Sequence, residues 1–197
     1  MSIPYTLNEV IGKANNTLSL INADGSGKYN MIVICSDRLA YHDSATGAFP
    51  SALTEAQWAD LAAYQIQFTV RRTVFGVWPG PIQGVNYPPN GDCCGANEEQ
   101  LVQLSPEAAA FVPFAGINAT GKFSTIGLSH YPTTLYTGQT FDNFGTATPM
   151  LYLDPIGSKF PATQKWIGGV VSKYKDGRQE MNFYMPFGSW STTSLVL

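Results

Sequence analysis

The sequence predicts an α/β domain of three layers, a mostly parallel sheet with flanking helices that ends in a C-terminal antiparallel hairpin. Three observations carry this. Two apolar runs, Met31-Ile32-Val33-Ile34-Cys35 and Val74-Phe75-Gly76-Val77-Trp78, have the uninterrupted character of strands buried on both faces. Between them lies a stretch of helical periodicity. Antiparallel partners would need only a hairpin, so a helix between two apolar strands points to parallel strands joined by a right-handed crossover. Near the C-terminal end, Lys175-Asp176-Gly177-Arg178 separates the strand-like runs 166–173 and 179–185 with the Asp-Gly pair that tight hairpins favour.

Each element has its own local reason. Residues 3–10 read as a first strand, and Asn22-Ala23-Asp24-Gly25-Ser26-Gly27 as the turn leading to the strand at Met31. Thr54-Glu55-Ala56-Gln57 is a capping box, flanked by Leu53 and Trp58 at the spacing of a hydrophobic staple. Trp58, Leu61, Ala62, Ile66 and Phe68 then share one helical face, interrupted by Gln65. Arg71 and Arg72 suit the negative end of that helix's dipole. Pro79-Gly80-Pro81 stops the second strand and opens a long Pro/Gly-rich loop, 80–96. Ser105-Pro106-Glu107 starts a short helix with Pro at its first position. Thr125-Ile126-Gly127-Leu128 and Met150-Leu151-Tyr152-Leu153 are short strand candidates.

The 197 residues suffice for one domain with a full core. Charged residues make up 13%, about half the usual share, and Gly, Pro, Ser, Thr, Asn and Tyr stand in their place. That mixture suits a surface meeting neutral polymers. With a net charge of −3 and no Lys/Arg stripe, a nucleic-acid partner is not expected. No apolar run reaches the length of a membrane span, and residues 1–20 lack the apolar core of a signal peptide. Asn15-Asn16-Thr17 and Asn118-Ala119-Thr120 are sequons, meaningful only in a secreted chain. Three cysteines, Cys35, Cys93 and Cys94, allow a vicinal bridge or a bridge from either of the adjacent pair to Cys35. At the end of a buried strand, Cys35 also reads as a small hydrophobe.

Catalytic readings are weak. Gly91-Asp92-Cys93-Cys94-Gly95 has the spacing of a nucleophile elbow, yet Tyr87-Pro88-Pro89-Asn90 cannot be the buried strand that an elbow needs. A small hydrolase or amidotransferase relative using Cys93 or Cys94 is the rival reading. His42, His130 and Asp43 show no metal-ligand spacing, and no cofactor is expected. A binding site is better supported. Trp78, Tyr87, Tyr131, Phe141 and Phe144 fall in loops or at strand ends, beside Asp37, Arg38, Gln83, Asn86, His130, Asp142 and Asn143. Sugar rings stack their CH faces on aromatic rings while their hydroxyls need polar partners, which is what such a cluster supplies. In parallel sheets, ligands sit beyond the carboxyl ends of strands, here the ends carrying Cys35-Ser36-Asp37-Arg38 and Trp78-Pro79.

Several segments carry a family resemblance. They are Phe49-Pro50-Ser51-Ala52-Leu53-Thr54-Glu55-Ala56-Gln57-Trp58, Leu61-Ala62-Ala63-Tyr64-Gln65, Arg71-Arg72, Trp78-Pro79-Gly80-Pro81 and Cys93-Cys94. In these the chain resembles the N-terminal carbohydrate-binding module of the secreted fungal deacetylases that act on galactosaminogalactan. Thr148-Pro149-Met150-Leu151, Gly168-Gly169-Val170-Val171 and Tyr174-Lys175-Asp176-Gly177-Arg178 are similar to the end of glutamine-amidotransferase-like domains. The resemblance implies one amidotransferase-like α/β domain over 1–197, without catalytic residues. A strand and helix normally precede the segment like Ile3-Pro4-Tyr5-Thr6, so a chain truncated at its N-terminal side is implied. The metal-binding motifs of the deacetylase domain are absent, so no catalytic residue carries over. The implied function is non-catalytic binding of an amino-sugar-containing polysaccharide of the cell wall or extracellular space, or service as the scaffold of a longer deacetylase. Trp78 and Tyr87 are the expected stacking platforms, with Tyr131 beside them. Asp37 and Asp142 are the expected acceptors, and Arg38 and His130 the donors.

Overall fold

The computed structural model describes residues 4–7, 17–89, 94–109, 120–138 and 141–186. In chain order its elements are β1 (Met31–Ile34), α1 (Glu55–Phe68), β2 (Arg71–Val74), β3 (Leu101–Leu104), α2 (Pro106–Ala109), β4 (Lys122–Ser124), β5 (Phe144–Leu153), β6 (Trp166–Tyr174) and β7 (Gln179–Phe183). The strands form one seven-stranded sheet in the order β1-β2-β7-β6-β5-β3-β4. Only β1–β2 and β2–β7 pair in parallel; every other pairing is antiparallel.

This overturns the expected three-layer, mostly parallel sheet and with it the amidotransferase-like outline. The reason is physical. A parallel sheet needs a crossover for each added strand and helices on both faces. Among the described residues, α1 is the one helix of more than a single turn, and it serves the one crossover, from β1 to β2. The faces are instead covered by loops and by side chains that alternate along the strands. Phe75, Phe183, Met185 and Trp166 enter one apolar cluster, whereas Val74, Tyr184, Ile167 and Val170 enter a second. Neighbours such as Phe183 and Tyr184 thus belong to opposite faces, as a pleated strand requires. In β6 the alternation is reset by a bulge. Leu151 pairs with Gly169 and Tyr152 with Ile167, which leaves Gly168 between them.

The local signals resolve unevenly. Thr54 caps α1, its hydroxyl accepting from the Gln57 N–H at 3.2 Å while Gln57 Oε1 accepts from the Thr54 N–H at 2.8 Å. The helix ends at Phe68, earlier than Arg71 and Arg72, because Thr69 takes a left-handed conformation (φ +55°) and its N–H returns to the Gln65 carbonyl. The arginines therefore begin β2, and 75–78 lies beyond it. The buried side of α1 is Leu61, Tyr64 and Gln65; Ile66 is exposed. Tyr64 fastens the helix to the chain ahead of β1, its hydroxyl accepting from the Tyr29 N–H (2.7 Å) and donating to the Tyr29 carbonyl (2.8 Å).

Strand β1 lies at the sheet's edge and is not buried on both faces; Met31 and Val33 point outward. Cys35 after it is an exposed free thiol, not a buried hydrophobe. Of the predicted first strand, residues 4–7 have no regular structure, and 3 and 8–10 lie outside the described residues. The strand expected at 125–128 is a turn following β4. The β6–β7 hairpin turns through Gly177, at φ +95°. No helix among the described residues is long and apolar enough to cross a membrane.

Candidate functional site

A cleft of about 720 Å³ opens on one face of the sheet, over β2, β7 and β6, near the carboxyl ends of the three co-directional strands β1, β2 and β7. Its walls follow from how those ends are tied. The Phe75 N–H donates to the Ile34 carbonyl (2.9 Å) and the Asp37 N–H to the Phe75 carbonyl (2.7 Å), so the chain after β1 is held against the chain after β2. Asp37 pays for that position with a φ of +20°, which few non-glycine residues adopt. Its carboxylate accepts from the Trp78 N–H. Burial raises its pKa above the ordinary carboxylate value, and that hydrogen bond and the Arg38 charge oppose the rise.

Trp78 projects from the same place, 40% exposed, with its ring edge-on to Tyr131 at 4.9 Å. Tyr131 is itself anchored to the end of β7, its N–H donating to the Tyr184 carbonyl (2.9 Å). Tyr87, also in the lining, lies so close to Gly80 that a Cβ there would come within 2.9 Å of its ring. The glycine in Pro79-Gly80-Pro81 therefore seats the tyrosine. Phe141 and Ile82 complete an apolar rim, and Tyr87, Ile82 and Phe141 are each more than half exposed.

The floor is charged. Arg72 and Glu180 lie opposite each other in the parallel β2–β7 pairing and form an ion pair at 2.5 Å, with side chains 12% and 6% exposed. Arg178 adds a second contact to Glu180 (3.5 Å), pairs with Asp176 (2.8 Å) and stacks on the Tyr174 ring at 4.6 Å. The Tyr174 hydroxyl donates to the Ile82 carbonyl (3.2 Å). Burial first, and then the Glu180 carboxylate, raise that hydroxyl's pKa far above the ordinary tyrosine value, so it is a neutral donor. Arg38 pairs at 3.5 Å with Glu55 on the exposed rim.

The structure brings Asp37, Arg38, Trp78 and Tyr87 into this one cleft, together with Gln83, Phe141, Phe144 and Asn143. Tyr131 backs Trp78 from outside the lining. Asp142 is exposed between two lining residues but is not one itself. His130 is elsewhere, fully buried, with Nδ1 2.9 Å from the Leu128 carbonyl and Nε2 3.0 Å from Gln100 Oε1. Burial lowers its pKa, which makes it a neutral part of the core. Asn86 spends its amide on Thr134 and Leu135. Sequence reasoning missed Arg72, Glu180, Tyr174 and Arg178. The available signal was a pair of opposite charges, Arg72 in β2 and Glu180 in β7, each next to residues with strand character, where burial demands a partner.

Among the described residues no group of His, Cys, Asp and Glu could hold a metal ion. Cys94 is buried and disulfide-bonded, and a bridged sulfur is no nucleophile. Cys93 lies outside the described residues.

Residues 1–197 match the family model described as Agd3 CBM87. Among solved structures the chain is similar to the crystal structure of Agd3, described as a novel carbohydrate deacetylase. The TM-score is 0.79 and the identity 32%, over 98% of this chain and 27% of that one. The chain thus spans about a quarter of that protein's length. No curated protein matches.

Proposed function

The chain belongs to the Agd3 CBM87 family, and is therefore a non-catalytic carbohydrate-binding module; from that premise we propose that the cleft beside Trp78 holds a hexosamine-containing polysaccharide. The observation that carries the proposal is the rim of exposed rings, Trp78, Tyr87 and Phe141, around a cleft whose walls also hold Asp37 and Arg38. The exposed parts of these rings present flat apolar faces to the apolar CH face of a pyranose. Asp37 accepts from hydroxyls or from the ammonium of a free amino sugar. Arg38, on the exposed rim, supplies donors. The charged floor stays closed on itself, so the sugar lies over it and does not displace it. Galactosaminogalactan is the polymer this reading favours, which places the module in the extracellular space or the cell wall.

A second role is favoured by one observation, that the chain corresponds to about a quarter of a carbohydrate deacetylase. In that setting the module would hold polymer for a catalytic domain elsewhere in a longer protein. The test of the first reading is retention of the protein on immobilised galactosaminogalactan. Retention should be released by free galactosamine oligosaccharides and not by an uncharged glucan. Release by the glucan alone would reject hexosamine recognition.

A further inference from the structure

Resting on the reading of the cleft given above, we infer that the loop 41–50 is a second carbohydrate-contacting arm, whose His42–Phe49 ring pair takes sugar units of the same polymer that extend past the cleft. The arm is built as a closed ladder. Ala40 and Ser51 form an antiparallel bridge. The Ala52 N–H donates to the Leu39 carbonyl (3.0 Å), the Tyr41 N–H to the Pro50 carbonyl (3.1 Å) and the Asp43 N–H to the Ala48 carbonyl (2.9 Å). Its tip is set by Asp43, whose carboxylate accepts from the Ala45 N–H (2.9 Å), and by Gly47 at φ +68°. So fastened, the arm cannot fold its apolar ring onto the core.

That ring is Phe49, 70% exposed, with the exposed His42 ring against it at 5.2 Å and 54°. On a ring of about 200 Å², such exposure leaves about 140 Å² facing water. Both ends of the arm are rooted in the cleft wall. Arg38 and Glu55 line the cleft on either side of the excursion. Ser51 Oγ donates to the Arg38 carbonyl (2.7 Å) and accepts from the Nε1–H of Trp58, another lining residue (2.9 Å). One ring among His42, Asp43, Ser44 and Thr46 is a small apolar patch with hydroxyl partners beside it. That is the footprint of a sugar ring, whereas a protein partner would ask for a wider apolar surface.

Titration of the intact protein with a galactosamine disaccharide and with a long galactosaminogalactan fraction separates the two sites. Phe49→Ala and His42→Ala should each weaken binding of the long polymer about three- to tenfold and leave the disaccharide unchanged, while Phe49→Tyr should bind like wild type. Long-polymer binding by Phe49→Ala equal to wild type, with Trp78→Ala still defective, would overturn this inference alone. So would an equal loss on both ligands, because the arm would then act only through Arg38. Failure of the wild type to bind either ligand would overturn the reading of the cleft, and the arm with it.

Discussion

Removing the Trp78 ring separates its role as a platform from its role in packing. The ring is 40% exposed, which for an indole of about 250 Å² leaves about 100 Å² facing water. A pyranose laid on one face covers roughly half, and ~50 Å² at ~25 cal/mol per Å² is about 1.3 kcal/mol. The specific attraction between the ring face and polarised CH groups adds about 0.5–1.5 kcal/mol. Trp78→Ala should therefore weaken binding by about 2–3 kcal/mol, roughly 30- to 150-fold in Kd. The fold loses one edge-on contact with Tyr131, about 1 kcal/mol, so Tm should fall by only a few degrees. Isothermal titration with a galactosamine oligosaccharide, alongside thermal melts, measures both quantities. Trp78→Phe, which keeps a ring, should lie between the two. A folded Trp78→Ala protein whose Kd moves by less than about threefold would refute the placement of the sugar.

Other expectations follow from the same geometry. Burial raises the Asp37 pKa, so its charged form is the one folding disfavours. Its adverse contribution is absent below the ordinary carboxylate range and grows as pH rises through the folded value. Asp37→Asn should thus melt above wild type at pH 7, and melts at successively lower pH should show that advantage shrinking. At neutral pH the same variant should bind free amino sugars more weakly than their acetylated forms, relative to wild type. At Gly84 (φ +82°) a Cβ would sit 2.7 Å from Ala147 Cβ and closer still to the Phe144 ring, so Gly84→Ala should cost about 2 kcal/mol in urea unfolding; an unchanged midpoint would contradict the packing behind the cleft wall. Glu180→Gln removes the charge facing Arg72 and should destabilise by about 3 kcal/mol. The double change Arg72→Met, Glu180→Leu should recover most of that, and a double variant as unstable as the single one would show that the pair does more than neutralise itself.

The parts of this structure legible in the sequence are those decided within a few residues. Thr54 and Gln57 meet because they are three apart, and Asp176-Gly177 turns because glycine tolerates a positive φ. What sequence reasoning could not reach depends on neighbours distant in the chain. Helix α1 ends at Phe68, short of the arginines, and the partner that Arg72 meets, Glu180, is 108 residues away. His130 reads as a loop donor from its surroundings in sequence, yet Gln100 and Leu128 close around it in the core. The long parallel sheet failed for a related reason. One strand–helix–strand unit was real, but the strands that complete the sheet arrive from hairpins far down the chain.

A cleft lies beside the co-directional strands, although the parallel sheet expected to build it does not exist. Strands β1, β2 and β7 run side by side in one direction at one end of an otherwise antiparallel sheet. Parallel neighbours deliver their carboxyl ends to the same side, and the connections leaving those ends diverge, which opens space between them. Asp37 leaves β1 there, Trp78 follows β2 there, and Tyr184 follows β7 there to hold Tyr131 behind the indole. A crevice of this kind therefore needs only a local group of co-directional strands. The remaining antiparallel strands serve a different end, carrying Tyr174 on β6 and Phe144 on β5 into the cleft lining, where their rings meet edge-on at 6.1 Å.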